Sequence, residues 1–224
     1  RQIKSGKAAG PDNIPAEALK ADVTANARIL HILFNKIWDE EQVPKDWKEG
    51  LPIKIPKNGD LSNCDNYRGI TLLSILGKVF NKVLLNRMKD CIDAQLRDQK
   101  AGFCKDRSCT DQIATLWTIL EQSTEWDSSL YINFIDYEKA FDSVDRTTLW
   151  KLFRHLGVLQ KIVNIIQSSY DGLHCKIVHG GQLSNSFEVK TGVRQRCLLS
   201  SFLFLPITDW IMKTSTSERM HGIQ

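Results

Sequence analysis

Apolar residues at positions 29, 30, 33, 34, 37 and 38 recur at threes and fours, which predicts a helix over about 24–41. Pro44 and Trp47 follow as its end. Upstream, the small-residue run from Ser5 through Gly10-Pro11-Asp12-Asn13 reads as a turn, and Pro15 opens a short helix. Leu51 to Pro56 reads as a strand, and its prolines place it at an edge or flank. Lys57 to Asp60 is a turn, and Ile70 to Leu76 is a short apolar stretch. Apolar positions 79, 80, 83, 84 and 88 predict a helix from about Gly77 to Ile92. Thr110 is a candidate N-cap for a helix reaching about Glu125. Leu130 to Ile135, polar only at Asn133, predicts a strand, and the chain then turns abruptly polar. Helices over 146–156 and 159–170 are separated by Gly157. Strands near 174–179 and 184–190 pair through Gly180-Gly181 as a hairpin, and Ser200 to Met212 forms a last apolar helix. The content is α/β (α+β), without internal repeats.

The stretch Phe134-Ile135-Asp136-Tyr137-Glu138-Lys139-Ala140-Phe141-Asp142 carries the candidate chemistry. An apolar strand that ends in a carboxylate is a good holder for a divalent cation, because rigid backbone fixes the ligand. Taken alone, Asp136 reads also as a strand-end cap, and the favoured reading of Phe141 is a core ring.

Composition narrows the classes. The 224 residues suffice for one large domain or two small subdomains, and 42% hydrophobic with 25% charged residues is ordinary for a folded protein. No apolar run approaches the ~18 residues of a membrane span. The start, Arg1-Gln2-Ile3-Lys4, has neither a signal sequence nor an initiator Met, which reads as a piece of a longer polypeptide. The net charge is +4, and Lys78 to Arg107 alone holds eight basic against four acidic residues. That distribution fits a basic nucleic-acid-binding face or a solvated helix surface. Cysteines at 64, 91, 104, 109, 175 and 197 include no C-x-x-C pair and no zinc-like His partner. Free thiols in a reducing, intracellular compartment, cytoplasm or nucleus, are expected.

Several blocks in fixed order carry a resemblance. Lys7-Ala-Ala-Gly-Pro-Asp-Asn-Ile-Pro15 comes first, then Trp47-Lys48, Ile55-Pro56-Lys57 and Asn58-Gly59-Asp60. Asn66-Tyr67-Arg68-Gly69-Ile70-Thr71-Leu72 follows, then Asp98 to Phe103 with Arg107 to Ile113, the Asp136 block, and Gly192-Val193-Arg194-Gln195. Together they resemble the reverse transcriptases of non-LTR (LINE-type) retrotransposons over nearly the whole chain. The resemblance implies a right-hand polymerase with fingers over 1–128 and an incomplete palm over 129–224, one reverse transcriptase domain overall. It implies RNA-directed DNA synthesis on an RNA template with a DNA primer and dNTP.

The resemblance also implies residue roles. Asp136, with the Tyr137 carbonyl, would hold Mg²⁺ of a two-metal site as the catalytic carboxylate. Lys57 and Arg68 would neutralise the triphosphate, with Lys54 a weaker candidate. Phe141 would stack beneath the sugar and exclude a ribose hydroxyl, and Gln195 would buttress the nucleotide or template base. Lys82, Arg87, Lys105 and Arg107 would track nucleic-acid phosphates. Asp142 and Asp145 would be structural or capping.

Two departures stand out. Arg196 replaces the glycine that follows Gln195 in the family, and the aromatic-x-Asp-Asp hairpin does not occur before Gln224. The expectation is therefore a truncated chain that does not polymerise alone. The alternatives are a non-catalytic nucleic-acid-binding remnant or a maturase-like RNA-binding protein.

Overall fold

A computed structural model describes residues 6, 9–56, 59–60, 62, 66–97, 100–102, 107–179, 182–195 and 197–216. Helix α1 (Ala16–Ala21) leads into α2 (Val23–Glu40), which Asp22 caps by accepting from Ala25 N at 2.9 Å. Its apolar spacing turns Ile37 into the core, while Glu41 leaves the helix in the left-handed region. A single 3-10 turn at Lys45–Lys48 then buries Trp47, which packs against Phe80 at a ring distance of 5.8 Å.

Strand β1 (Glu49–Pro56) pairs antiparallel with β2 (Tyr67–Leu72) along its length, from Leu51↔Leu72 to Pro56↔Tyr67. Helices α3 (Ile75–Asp93) and α4 (Cys109–Glu125) follow, then α5 (Arg146–His155) and α6 (Gln160–Tyr170). Short strands β3 (His174–Cys175), β4 (Val178–His179), β5 (Gln182–Leu183) and β6 (Phe187–Glu188) precede α7 (Leu198–Thr216). The sheet orders β5-β4-β1-β3-β6, with β2 on the other side of β1.

Strand β1 is thus central, not an edge. It tolerates Pro52 and Pro56 because β3 and β4 pair with it only at Glu49, Gly50 and Ile53, so neither proline is asked for a hydrogen on that side. The expected hairpin is present as β3–β4 against β5–β6. Its register slips by one residue between Cys175↔Phe187 and Val178↔Leu183, which is a bulge. Ser184 holds the bulge: its N–H donates to the Ile177 carbonyl and its hydroxyl accepts from Ile177 N, both at 2.9 Å.

The core gathers α3, α5, α6 and α7. Phe80, Leu84, Met88 and Ile92 line one stripe of α3 at four-residue spacing. Leu149 and Phe153 of α5, Ile165 and Ile166 of α6, and Leu199 and Leu203 of α7 complete it. Polar ties reinforce the packing. Val43 N donates to Ser168 Oγ at 3.3 Å, and Asn164 Nδ2 donates to Glu41 Oε2 at 2.6 Å.

Buried Asp209 of α7 is paired with Arg97 at 3.1 Å and with Lys213 at 3.0 Å. Burial pushes its carboxyl up, but the hydrogen bonds from Lys213 and Arg97 outweigh that and hold it below the usual carboxylate range.

The segment expected to be a strand at 130–135 is not one. It is irregular, and Tyr131, Phe134 and Ile135 lie open to solvent. β-propensity alone does not make a strand, because a ladder needs a second backbone. Among the described residues none pairs with this stretch. Helix α4 forms as expected, though its cap is Ser108, accepting from Thr110 N, rather than Thr110. No α4 residue is buried, and Ile113 and Trp117 are exposed. Among the described residues no helix is long and apolar enough to cross a membrane, and Cys91, Cys109, Cys175 and Cys197 are free thiols.

Candidate functional site around the 136–145 turn

Asp136 ends the irregular stretch, fully on the surface. The chain then turns over 138–143 with Lys139 in the left-handed region, where its carbonyl accepts from Asp142 N at 2.8 Å and Ser143 N at 3.0 Å. Asp145 closes the turn as the cap of α5, accepting from Thr148 N at 2.7 Å. Hydrogen bonds from the Thr148 side chain and then from its backbone lower the Asp145 pKa, so its carboxylate serves helix geometry, as expected.

The aromatic residues of the turn face α7. Phe141 is half-buried and stacks on Phe204 at 5.1 Å, while Tyr137 meets the same ring edge-on at 6.4 Å. Tyr137 also lines an apolar cavity with Val144, Leu149, Ile207 and Trp210.

The loop before α7 is sewn to the turn through backbone. Gly192 N donates to the Val144 carbonyl at 2.9 Å, and Val193 N donates to the Phe141 carbonyl at 2.8 Å. Approach is close enough that a Cβ on Gly192 would sit 2.7 Å from both Asp142 Cα and the Asp142 carbonyl oxygen. Gly192 also has φ +75, so glycine meets a conformational and a steric demand at once. This contact carries Gln195 to Asp142, where Nε2 donates to the two carboxylate oxygens at 3.2 and 3.0 Å.

Two arginines brace the loop from behind. Arg146 donates from Nε to the Gly192 carbonyl at 2.8 Å and from its terminal nitrogens to the carbonyls of Tyr170 and Thr191. Arg194 is buried and donates from one terminal nitrogen to the carbonyls of Trp47 at 3.0 Å and Ser169 at 2.9 Å. The two guanidinium groups lie over the Tyr170 ring at 5.1 and 5.2 Å, so cation–π attraction offsets part of their desolvation. Burial lowers the pKa of Arg146 and raises that of the Tyr170 phenol.

One cavity collects Gly69 and Thr71 of β2, Asp142, Arg146, Arg194 and Gln195. Thus three separate sequence blocks meet: the one containing Arg68, the turn after Asp136, and Gly192 to Gln195. Lys57, Lys105 and Arg196 lie outside the described residues, as do the side chains of Lys54 and Arg68.

Among the described residues no three His, Cys, Asp or Glu side chains gather to hold an ion. The α3 basic residues divide. Lys82 is exposed, whereas Arg87 lies over the Trp38 ring at 4.9 Å. Arg107 donates to the carbonyls of Arg97 and Lys100, which ties it to the loop after α3.

Arg146 and the pairing of Asp142 with Gln195 were not foreseen. Arg146 did carry a signal, since a cation in the first turn of a helix opposes the macrodipole and so suggests a tertiary task.

Residues 55–221 match the family model described as reverse transcriptase (RNA-dependent DNA polymerase). Among curated proteins, the chain is 26% identical over 218 residues to the Retrovirus-related Pol polyprotein from type-2 retrotransposable element R2DM of Drosophila melanogaster, covering 97% of this chain and 20% of that protein. It is 26% identical over 207 residues to the Pol polyprotein of the R2 element of Popillia japonica, covering 92% of this chain and 28% of that one. It is 28% identical over 215 residues to the Probable RNA-directed DNA polymerase from transposon BS of Drosophila melanogaster, covering 90% and 22%. The chain therefore spans between a fifth and three tenths of the length of these relatives.

Proposed function

Since the chain belongs to the reverse transcriptase (RNA-dependent DNA polymerase) family, we propose that it forms the nucleotide-transfer region of a non-LTR retrotransposon polymerase, copying RNA into DNA. The observation that carries this reading is the cavity where Gly69 and Thr71, Asp142, and Arg194 with Gln195 converge from three distant blocks. In that arrangement residues 1–128 act as fingers and 129–224 as part of the palm. Asp136 would be the catalytic, metal-holding carboxylate, with the Tyr137 carbonyl beside it. Lys57 and Arg68 would face the triphosphate, Phe141 the sugar, and Gln195 the nucleotide or template base. Lys82, Arg87, Lys105 and Arg107 would lie along the nucleic-acid backbone.

Mg²⁺ is the ion this family chemistry calls for, and when bound it would activate the primer hydroxyl and neutralise phosphate charge. The described residues do not fit a complete site: Asp136 is a single exposed carboxylate, and Mg²⁺ demands near-octahedral oxygen coordination. The chain's own contribution is to bind the primed template, order the nucleotide against Gln195, and present Asp136. Extension by this chain alone is not expected.

The test is binding. Purified chain should hold an RNA–DNA hybrid bearing a recessed primer, with affinity that falls steeply as salt rises and tightens when the matching dNTP is added. Equal affinity for primed hybrid and for blunt DNA duplex, unaffected by dNTP, would overturn the polymerase reading. It would leave a non-specific nucleic-acid binder.

A further inference from the structure

We propose that Asp142 is a positioning residue that acts through Gln195, fixing which end of the Gln195 amide faces the cavity. The proposal rests on the nucleotide-binding reading above and adds a residue and a task to it.

A glutamine amide has a donor end and an acceptor end of nearly the same shape, so a free one can present either. Here the choice is made by chemistry. An ionised carboxylate only accepts, so only the NH₂ end can face it, and Nε2 reaches both Asp142 oxygens at 3.2 and 3.0 Å. The acceptor Oε1 is thereby turned away from Asp142.

Both partners are held by backbone. Asp142 N is bonded to the Lys139 carbonyl, and Asp142 Cα and O press on Gly192. On the other side, the Gly192 and Val193 N–H groups are bonded to the turn, and Arg194 is anchored to the carbonyls of Trp47 and Ser169. The pair lines the same cavity as Gly69 and Thr71. The structure therefore offers an oriented acceptor there, suited to a hydroxyl or amino donor of a nucleotide or template base. Asp142 itself is a poor direct ligand for a polyanion, since its charge repels phosphate. Its influence runs through the neighbouring amide.

The experiment is a double-mutant cycle on nucleotide affinity. The full chain is loaded with a primed RNA template, and the Kd of a fluorescent, non-hydrolysable deoxynucleoside triphosphate is read by anisotropy. Asp142→Ala and Gln195→Ala should each weaken binding by roughly fivefold, the worth of one modest hydrogen bond. The double variant should be no weaker than Gln195→Ala alone. Asp142→Asn should recover part of the loss, because its amide can still accept while no longer dictating the orientation. An equal loss from Asp142→Ala in the Gln195→Ala background would overturn the proposal in favour of a merely structural Asp142. So would full affinity in Asp142→Ala.

If the unaltered chain binds no nucleotide, the functional reading fails, and the positioning is decided separately by ¹H–¹⁵N NMR. The Gln195 side-chain amide should shift towards free-amide positions and exchange faster in Asp142→Ala. An unmoved signal refutes the contact.

Discussion

Gly192→Ala puts the seam between the turn and the Gln195 loop under direct stress. The new methyl would lie 2.7 Å from Asp142 Cα and O and 2.8 Å from the Phe141 carbonyl. These are backbone atoms, which cannot swing aside as a side-chain tip can, so the loop must withdraw by about 1 Å to reach ordinary contact. Withdrawal breaks the bonds from Gly192 N to Val144 O and from Val193 N to Phe141 O, each worth about 1 kcal/mol net. Holding alanine in the left-handed region costs a further ~1–2 kcal/mol. The expected loss is therefore about 3–4 kcal/mol.

Gly172→Ala is the internal control. Gly172 has φ +64, with nothing within 4 Å of its added Cβ, so it should cost only the conformational strain of ~1–2 kcal/mol. The change each substitution makes to unfolded-chain entropy is the same and cancels in the comparison. Urea unfolding at constant m-value reads both. If Gly192→Ala falls within about 0.5 kcal/mol of Gly172→Ala, the close approach and its two backbone bonds are not what hold the loop to the turn.

Asp209→Asn should lower stability by about 2 kcal/mol at neutral pH, discounted for partners that are themselves half in water. Because the folded carboxyl sits below its usual range, its contribution is complete above the unfolded pKa and vanishes as pH falls through the folded one. Urea midpoints below neutrality should thus decline less steeply in Asp209→Asn, and parallel pH profiles would contradict this. Phe141→Ala should lose about 2 kcal/mol from its half-buried stack on Phe204. It should also raise ribonucleotide affinity relative to deoxyribonucleotide, and an unchanged ratio would leave Phe141 a core ring. Lys78→Gln with Lys82→Gln, exposed one turn apart on α3, should flatten the salt dependence of hybrid binding by about 1.5 in slope. Arg107→Gln should in addition lower thermal stability, since it is bonded to the carbonyls of Arg97 and Lys100.

Hydrophobic spacing alone was enough to place α2 and α3 to within a few residues, because a helix satisfies its own backbone and needs only one apolar face. The motif blocks likewise made the family legible, and the resemblance implied a structural or capping role for Asp145. Pairing partners were not legible. Strand β1 looked like an edge or flank because of its prolines, yet it is central, since β3 and β4 pair with it at Glu49, Gly50 and Ile53 and not at Pro52 or Pro56. Leu130 to Ile135 has the composition of a strand and is none here, because a strand exists only where a second backbone meets it. The contact of Gln195 with Asp142 spans 53 residues, and Arg194 reaches the Trp47 carbonyl across 147. Such links have no local signature. They appear only when the core has set the relative positions of α5, α6 and the sheet, which is why the sequence names the candidate groups and the tertiary structure decides which of them touch.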